Sequence, residues 1–182
     1  MGKLTKFIAT VLYYGLAKHL PVSYHPLSFG ISKPFRGMLC RHIFKKCGSN
    51  INVERGVTFR YDGAFVGCDI ELGSNSGIGI NALLESSGGI IIGNNVIMGP
   101  DVIILTRNRK HDDIMKPMNV QGFTSGQVII EDDVFIGTRT IILAGVTIGR
   151  SSLIGAGTVV TKDVPAYSVF AGNPGKVVKM RK

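Results

Sequence analysis

The sequence predicts an all-β solenoid, a parallel β-helix wound from six-residue units, and three observations predict it. An aliphatic residue recurs every six positions through Ile130, Ile136, Ile142, Ile148, Ile154 and Val160. A second series runs two places ahead of it through Val128, Val134, Thr140, Val146, Ser152, Thr158 and Val164. Glycine follows the aliphatic residue at Gly67, Gly73, Gly79, Gly93, Gly99, Gly137, Gly149 and Gly155. A period of six drifts around an α-helix, which turns every ~3.6 residues. It suits a short strand and a tight turn: β-branched residues mark the strand, and Gly, Asn and Asp, which tolerate left-handed backbone, mark the turn. Three units close a triangular coil of eighteen residues. One coil cannot bury its own apolar side, so coils stack and their inward residues form an aliphatic column.

The elements follow in chain order. Residues 3–20 suit an amphipathic helix with Leu4, Phe7, Ile8, Val11, Leu12 and Leu16 on its apolar side. Pro21, Pro26 and Pro34 punctuate a loop, and residues 35–47 suit a second short helix carrying Phe35, Met38, Leu39, Ile43 and Phe44. Residues 1–47 therefore form a helical N-terminal segment, and the solenoid is expected over 48–170. Its register is visible at Leu72, Ile78 and Leu84 and again at Ile92, Met98 and Ile104. The period fails twice. Ser86-Ser87-Gly88-Gly89 stretches the Leu84-to-Ile92 interval to eight residues, and Ile104 to Ile130 is twenty-six. The second break predicts an insertion over 106–127, and a long irregular loop in a regular scaffold is usually functional. Residues 171–182 are expected to leave the solenoid as a basic tail.

The length of 182 residues fits one domain. The apolar run at 7–17 is eleven residues, short of the ~20 a spanning helix needs. Lys18-His19 follows it directly and no small-residue cleavage site appears, so no secretory leader is expected. Cys40, Cys47 and Cys68 are odd in number and lack zinc-like spacing, which points to reduced thiols in a cytoplasmic protein. The net charge of +9 is concentrated: residues 1–60 hold ten Lys and Arg against Glu54 alone, while the rest carries eleven of each sign. Such asymmetry suggests an anionic partner.

The repeats, the run AGVTIGRSSLIGAGTVVTKDVP at 144–165 and the close AGNPGKVV at 171–178 resemble the hexapeptide-repeat acetyltransferases over roughly residues 48–180. The resemblance implies a left-handed coil, a hand that sequence physics would not supply because parallel crossovers are normally right-handed. It also implies a homotrimer, active sites between neighbouring subunits and acetyl-CoA as co-substrate. Within the family, His111-Asp112, Gln121-Gly122 and the basic N-terminal segment resemble the polysaccharide O-acetyltransferases more closely than the maltose and galactoside branch. The acidic acceptor contacts of that branch are not evident, which argues against simple galactosides or maltose.

His111 is the histidine inside the insertion; His19, His25 and His42 precede the repeats. Neutral imidazole can take the proton of a hydroxyl as it attacks a thioester, and the resemblance implies that role for His111. A base of this kind needs an orienting partner; Asp112, Asp113, Glu85 and a backbone carbonyl are all open. Asn81 is a candidate acceptor contact, with a turn role as the other reading. For acetyl-CoA, the resemblance places Gly137 and Thr138 near the thioester, where a hydroxyl or amide can stabilise an oxyanion. Ala156, Thr161 and Lys162 would line the arm and phosphates, with Lys179 a further phosphate partner. No metal is expected.

The expected reaction is acetyl transfer from acetyl-CoA to a sugar hydroxyl in the biosynthesis of bacterial surface polysaccharide. The acceptor would be a sugar or a lipid-linked oligosaccharide. Alternatives are a small-molecule or xenobiotic acceptor, or a non-catalytic solenoid. A γ-class carbonic anhydrase is excluded because zinc there takes three histidines and the repeats offer His111 alone. Nucleic-acid binding is not expected, since no recognised motif accompanies the basic third. That third is expected to make a peripheral contact at the inner membrane face or, equally, to cap the open end of the solenoid.

Overall fold

The computed structural model describes residues 2–60 and 68–182. Gly67, one of the repeat glycines, lies outside the described residues. The coils form a left-handed parallel β-helix of three faces. The first face runs Lys46–Cys47, Ile70–Leu72, Ile90–Ile92, Val128–Ile130 and Thr147–Ile148. The second runs Asn52–Val53, Gly77–Ile78, Ile97–Met98, Phe135–Ile136, Leu153–Ile154 and Ser168–Gly172. The third runs Thr58–Arg60, Leu83–Glu85, Ile103–Leu105, Ile141–Ile142 and Val159–Val160. Partners in register are eighteen residues apart where the period holds, as at Phe135 and Leu153. They are thirty-eight apart across the insertion, as at Val128 and Ile90.

Both six-residue series point inward. Ile70, Ile78, Ile90, Ile104, Ile130, Ile136, Ile142, Ile148, Ile154 and Val160 are buried in one column. The polar members of the second series stay satisfied at the corners: Thr140 donates to the Gly137 carbonyl at 2.8 Å, Ser152 to that of Pro165 at 2.8 Å and Thr158 to that of Gly155 at 2.7 Å. A buried hydroxyl bonded to a carbonyl costs little.

The repeat glycines serve a purpose other than left-handed turning. Positive φ falls two residues later, at Asn75, Asn81, Asn95, Asp101, Arg139, Ser151 and Gly157. The glycines are needed because successive coils approach closely: a Cβ at Gly79 would collide with the backbone of Gly99 in the next coil.

The N-terminal segment closes one end. Helix α1 spans Lys3–Gly15 and is followed by a 3-10 turn at Ala17–His19; helix α2 spans Ser32–Ile43. The expected second helix was therefore placed too late. Pro34 lies in its first turn, where proline removes only an N–H that has no intrahelical acceptor, and Lys46–Cys47 is already the first strand of the solenoid. Met38, expected on the apolar side of the second helix, is exposed. In α1 the buried residues are Ala9 and Tyr13, and the apolar stripe of Leu4, Phe7, Ile8, Val11 and Leu12 faces outward.

These helices supply hydrogen bonds that a preceding coil would otherwise make. Tyr13 donates to the Val57 carbonyl at 3.2 Å. The Tyr14 hydroxyl donates to the Phe59 carbonyl at 2.7 Å and accepts from the Phe59 N–H at 2.9 Å. Arg36, fully buried, donates to Val53 O at 2.6 Å and pairs with Glu54 at 3.3 Å. The cap is thus a set of backbone-satisfying contacts as well as an apolar lid.

The tail does not leave the solenoid. Gly175–Met180 folds back across a cis Asn173–Pro174 bond and pairs antiparallel with Ser168–Gly172, closing the second face. All three cysteines are unpaired thiols; burial pushes the Cys47 thiol up to about 11 and raises that of Cys40 as well.

Candidate active site

The insertion leaves the corner between the third and first faces as a two-stranded antiparallel hairpin, Arg107–Arg109 against Phe123–Ser125. Its exit is fastened by Glu85, 7% exposed at the end of the neighbouring third-face strand. One carboxylate oxygen accepts from the Thr106 N–H and hydroxyl, each at 2.9 Å, and the other accepts from the Ser87 N–H at 3.0 Å. The Arg107 guanidinium lies 3.8 Å from it. Burial alone would raise this carboxyl, but the hydrogen bonds from Ser87 and Thr106 outweigh it and hold the carboxyl below its ordinary value. The Thr106 hydroxyl also accepts from the Gly88 N–H at 2.8 Å, which ties the small bulge to the large one.

The hairpin is stiffened along its length. The guanidinium carbons of Arg107 and Arg109 each stand 4.3 Å from the centroid of the Phe123 ring, a double cation–π contact. At the tip, Gln121 accepts from the Asp113 N–H at 3.1 Å and donates to the carbonyls of Asp113 at 2.8 Å and Lys116 at 2.7 Å. Asp113 caps its own turn at Met115 and pairs with Lys116 at 2.9 Å.

His111 is exposed on this frame, with Nδ1 3.2 Å from its own chain's Arg109 carbonyl. With the proton placed on Nδ1 to satisfy that carbonyl, Nε2 keeps its lone pair. Of the candidate partners, the geometry brings only the backbone carbonyl to the ring. Glu85 is bonded to Thr106 and Ser87, Asp113 to the hairpin turn, and Asp112 is exposed, with no side-chain hydrogen bond to His111 among the described residues.

The predicted acetyl-CoA residues divide between two edges and the last strand of the second face. Gly137, Thr138 and Ala156 share the corner between the second and third faces. Gly137 lies directly against the backbone of Ala156, and the Gly157 N–H donates to the Thr138 carbonyl at 2.8 Å. Asn81 stands on that same edge with φ 57°, its amide donating to Asp101 at 3.3 Å. That is a turn residue in a side-chain ladder. Thr161 and Lys162 stand exposed on the next edge, two coils from the hairpin corner. Lys179, in register with Val169, lines an open groove of about 750 Å³ with Leu153, Arg181 and Lys182. Small residues at Gly137 and Ala156 leave a wall without bulky side chains, and Lys179, Arg181 and Lys182 bring three cations to the groove.

Within one chain, then, His111 and the Thr138–Ala156 wall stand on different edges. Sequence reasoning found the insertion and its histidine but missed Thr106 and the Arg107–Phe123–Arg109 stack. The alternation of Arg107 and Arg109 in the strand entering the insertion was the available signal.

The model for the hexapeptide repeat of succinyl-transferase matches residues 127–162. The chain is 34% identical over 145 residues to the galactoside O-acetyltransferase of Escherichia coli (strain K12), covering 79% of this chain and 68% of that protein. Its fold is similar to that of a galactoside acetyltransferase solved in complex with coenzyme A, with a TM-score of 0.78 at 29% identity, over 98% of this chain and 82% of the other. A maltose O-acetyltransferase from Clostridium difficile 630 matches with a TM-score of 0.76 at 30% identity, over 100% and 90% of the two chains.

Proposed function

The chain belongs to the hexapeptide-repeat acetyltransferase family, and from that premise we propose that it moves the acetyl group of acetyl-CoA to a sugar hydroxyl with His111 as general base. The observation that carries the reading is the state of His111: exposed, on the rigid hairpin that interrupts the repeat, with Nδ1 occupied by the Arg109 carbonyl. Nε2 takes the proton of the acceptor hydroxyl as its oxygen bonds to the thioester carbonyl carbon. The Thr138 N–H or hydroxyl donates to the oxygen that gains charge. As the carbon–sulfur bond breaks, His111 returns the proton to the departing sulfur, so the imidazole ends neutral. Asp112 is not needed in this scheme, and Glu85 acts through the hairpin rather than on the reacting atoms.

Because His111 and Thr138 occupy different edges, we assign the complete site to the contact between subunits of a homotrimer. An apolar strip supports that assembly: Ile97 and Phe135, neighbours in register on the outer side of the second face, are both exposed. Thr161, Lys162 and Lys179 are the proposed phosphate partners. The acceptor we favour is a sugar of surface polysaccharide, met in the cytoplasm as a nucleotide sugar or lipid-linked oligosaccharide. The basic N-terminal third suits such anionic carriers.

The test is acetyl-CoA-dependent transfer, screened across nucleotide sugars, free sugars and lipid-linked oligosaccharides. His111→Ala is expected to lower turnover about 10³-fold while the circular dichroism spectrum and oligomeric mass stay unchanged. Near-normal turnover in a folded His111→Ala protein would remove His111 from the mechanism.

A further inference from the structure

Helix α1 is apolar on both sides. Inward it buries Ala9 and Tyr13. Outward it presents Leu4, Phe7, Ile8, Val11 and Leu12, spaced as one helical stripe, each between 43% and 71% exposed. A surface helix ordinarily turns its polar residues to solvent, and a contiguous exposed apolar patch marks a contact surface. The loop between the two helices also exposes Leu27 and Phe29, at 65% and 79%.

Charge indicates what this face meets. Residues 2–50 carry eight Lys and Arg and no Asp or Glu; Arg36 is buried against Glu54 and Lys45 pairs with Asp69 and Glu71, which leaves six. Lys3 and Lys6, within the same helix, form no ion pair among the described residues. Two copies meeting through this face would bring Lys3 and Lys6 together with no acid in the helix to offset them. Anionic lipid headgroups offset them directly. At thirteen residues, α1 is about 20 Å long, and no described helix is long and apolar enough to cross a membrane. A helix of this kind lies in the plane of the interface with its apolar stripe in the acyl boundary.

We propose that the outer face of α1, with the loop carrying Leu27 and Phe29, docks the protein on an anionic lipid surface while the inner face closes the solenoid. The two roles that competed in the sequence are then the two sides of one helix. Docking rests on the helix and its charge, independently of the acetyl transfer. If the acceptor is lipid-linked, docking concentrates enzyme and acceptor on one surface.

Flotation of the full-length protein with phosphatidylcholine vesicles, with and without phosphatidylglycerol, tests it. The protein is expected to float with the phosphatidylglycerol vesicles only and to be released by raised salt. The double variant Ile8→Glu/Leu12→Glu, at exposed positions, should lower the bound fraction at least about tenfold. Its circular dichroism, oligomeric mass and acetyl-CoA binding should stay unchanged. Absence of flotation on phosphatidylglycerol vesicles overturns the proposal, as does equal flotation of the double variant. A changed oligomeric mass also overturns it and assigns the face to a second copy. An inactive protein that still floats counts against the catalytic reading alone.

Discussion

At Glu85 a carboxylate almost out of solvent holds the exit of the hairpin through Thr106 and Ser87. Its hydrogen bonds outweigh burial and keep the carboxyl ionised to lower pH than an ordinary glutamate. A carboxyl depressed in the folded state stabilises the fold above its unfolded pKa of about 4.3, and that contribution disappears as pH falls through the folded pKa. Glu85→Gln removes it, so thermal melts of wild type and variant should differ at neutral pH and converge below about pH 4. A gap that stays constant with pH would show that the charge contributes nothing. With the exit loosened, His111 is held less well, and turnover should fall about tenfold while KM for acetyl-CoA holds. His111 was legible in the sequence because the repeats contain no other histidine. The partner of Glu85 was not, because Thr106 lies 21 residues away and meets it only after the coil closes.

The N-terminal helices act as an element by replacing the missing first coil. Arg36 is the clearest case: its guanidinium serves Val53, Leu20, Pro21 and Ser23 as well as Glu54. Burial lowers its pKa although Glu54 opposes that, so the pair is held by geometry and its many acceptors. Arg36→Met leaves Glu54 and several carbonyls short of a donor and should cost about 3 kcal/mol in urea unfolding; a loss under about 0.5 kcal/mol would mean water satisfies them instead. Helical periodicity announced both helices in the sequence. It did not say which side of α1 turns inward, because Ala9 and Tyr13 are outnumbered by the apolar residues that face out. Tyr13 and Tyr14 go inward because their hydroxyls can bond the exposed edge of the first coil, which leucines cannot.

For the whole molecule, the proposed site, with His111 and Thr138 on different edges, predicts complementation. His111→Ala and Ala156→Trp should each be nearly inactive, the second because a large side chain blocks the wall beside Thr138. Refolded from an equal mixture, the proposed trimer should recover about a quarter of wild-type activity, since a random pair of neighbours carries both intact halves that often. No recovery would place the site within one chain. By itself, the sequence determined the scaffold. A six-residue period admits one solution, a stack of short parallel strands, because each unit is too short to bury its own apolar side. It also located the insertion, because a break is visible against a regular background. Only the tertiary structure decided what the period does not encode: that glycine answers the close approach of coils, that the tail pairs antiparallel with Ser168–Gly172, that Glu85 fastens the hairpin, and which side of α1 meets solvent. Each of these depends on contacts between residues distant in the chain, and spacing within one repeat carries no information about them.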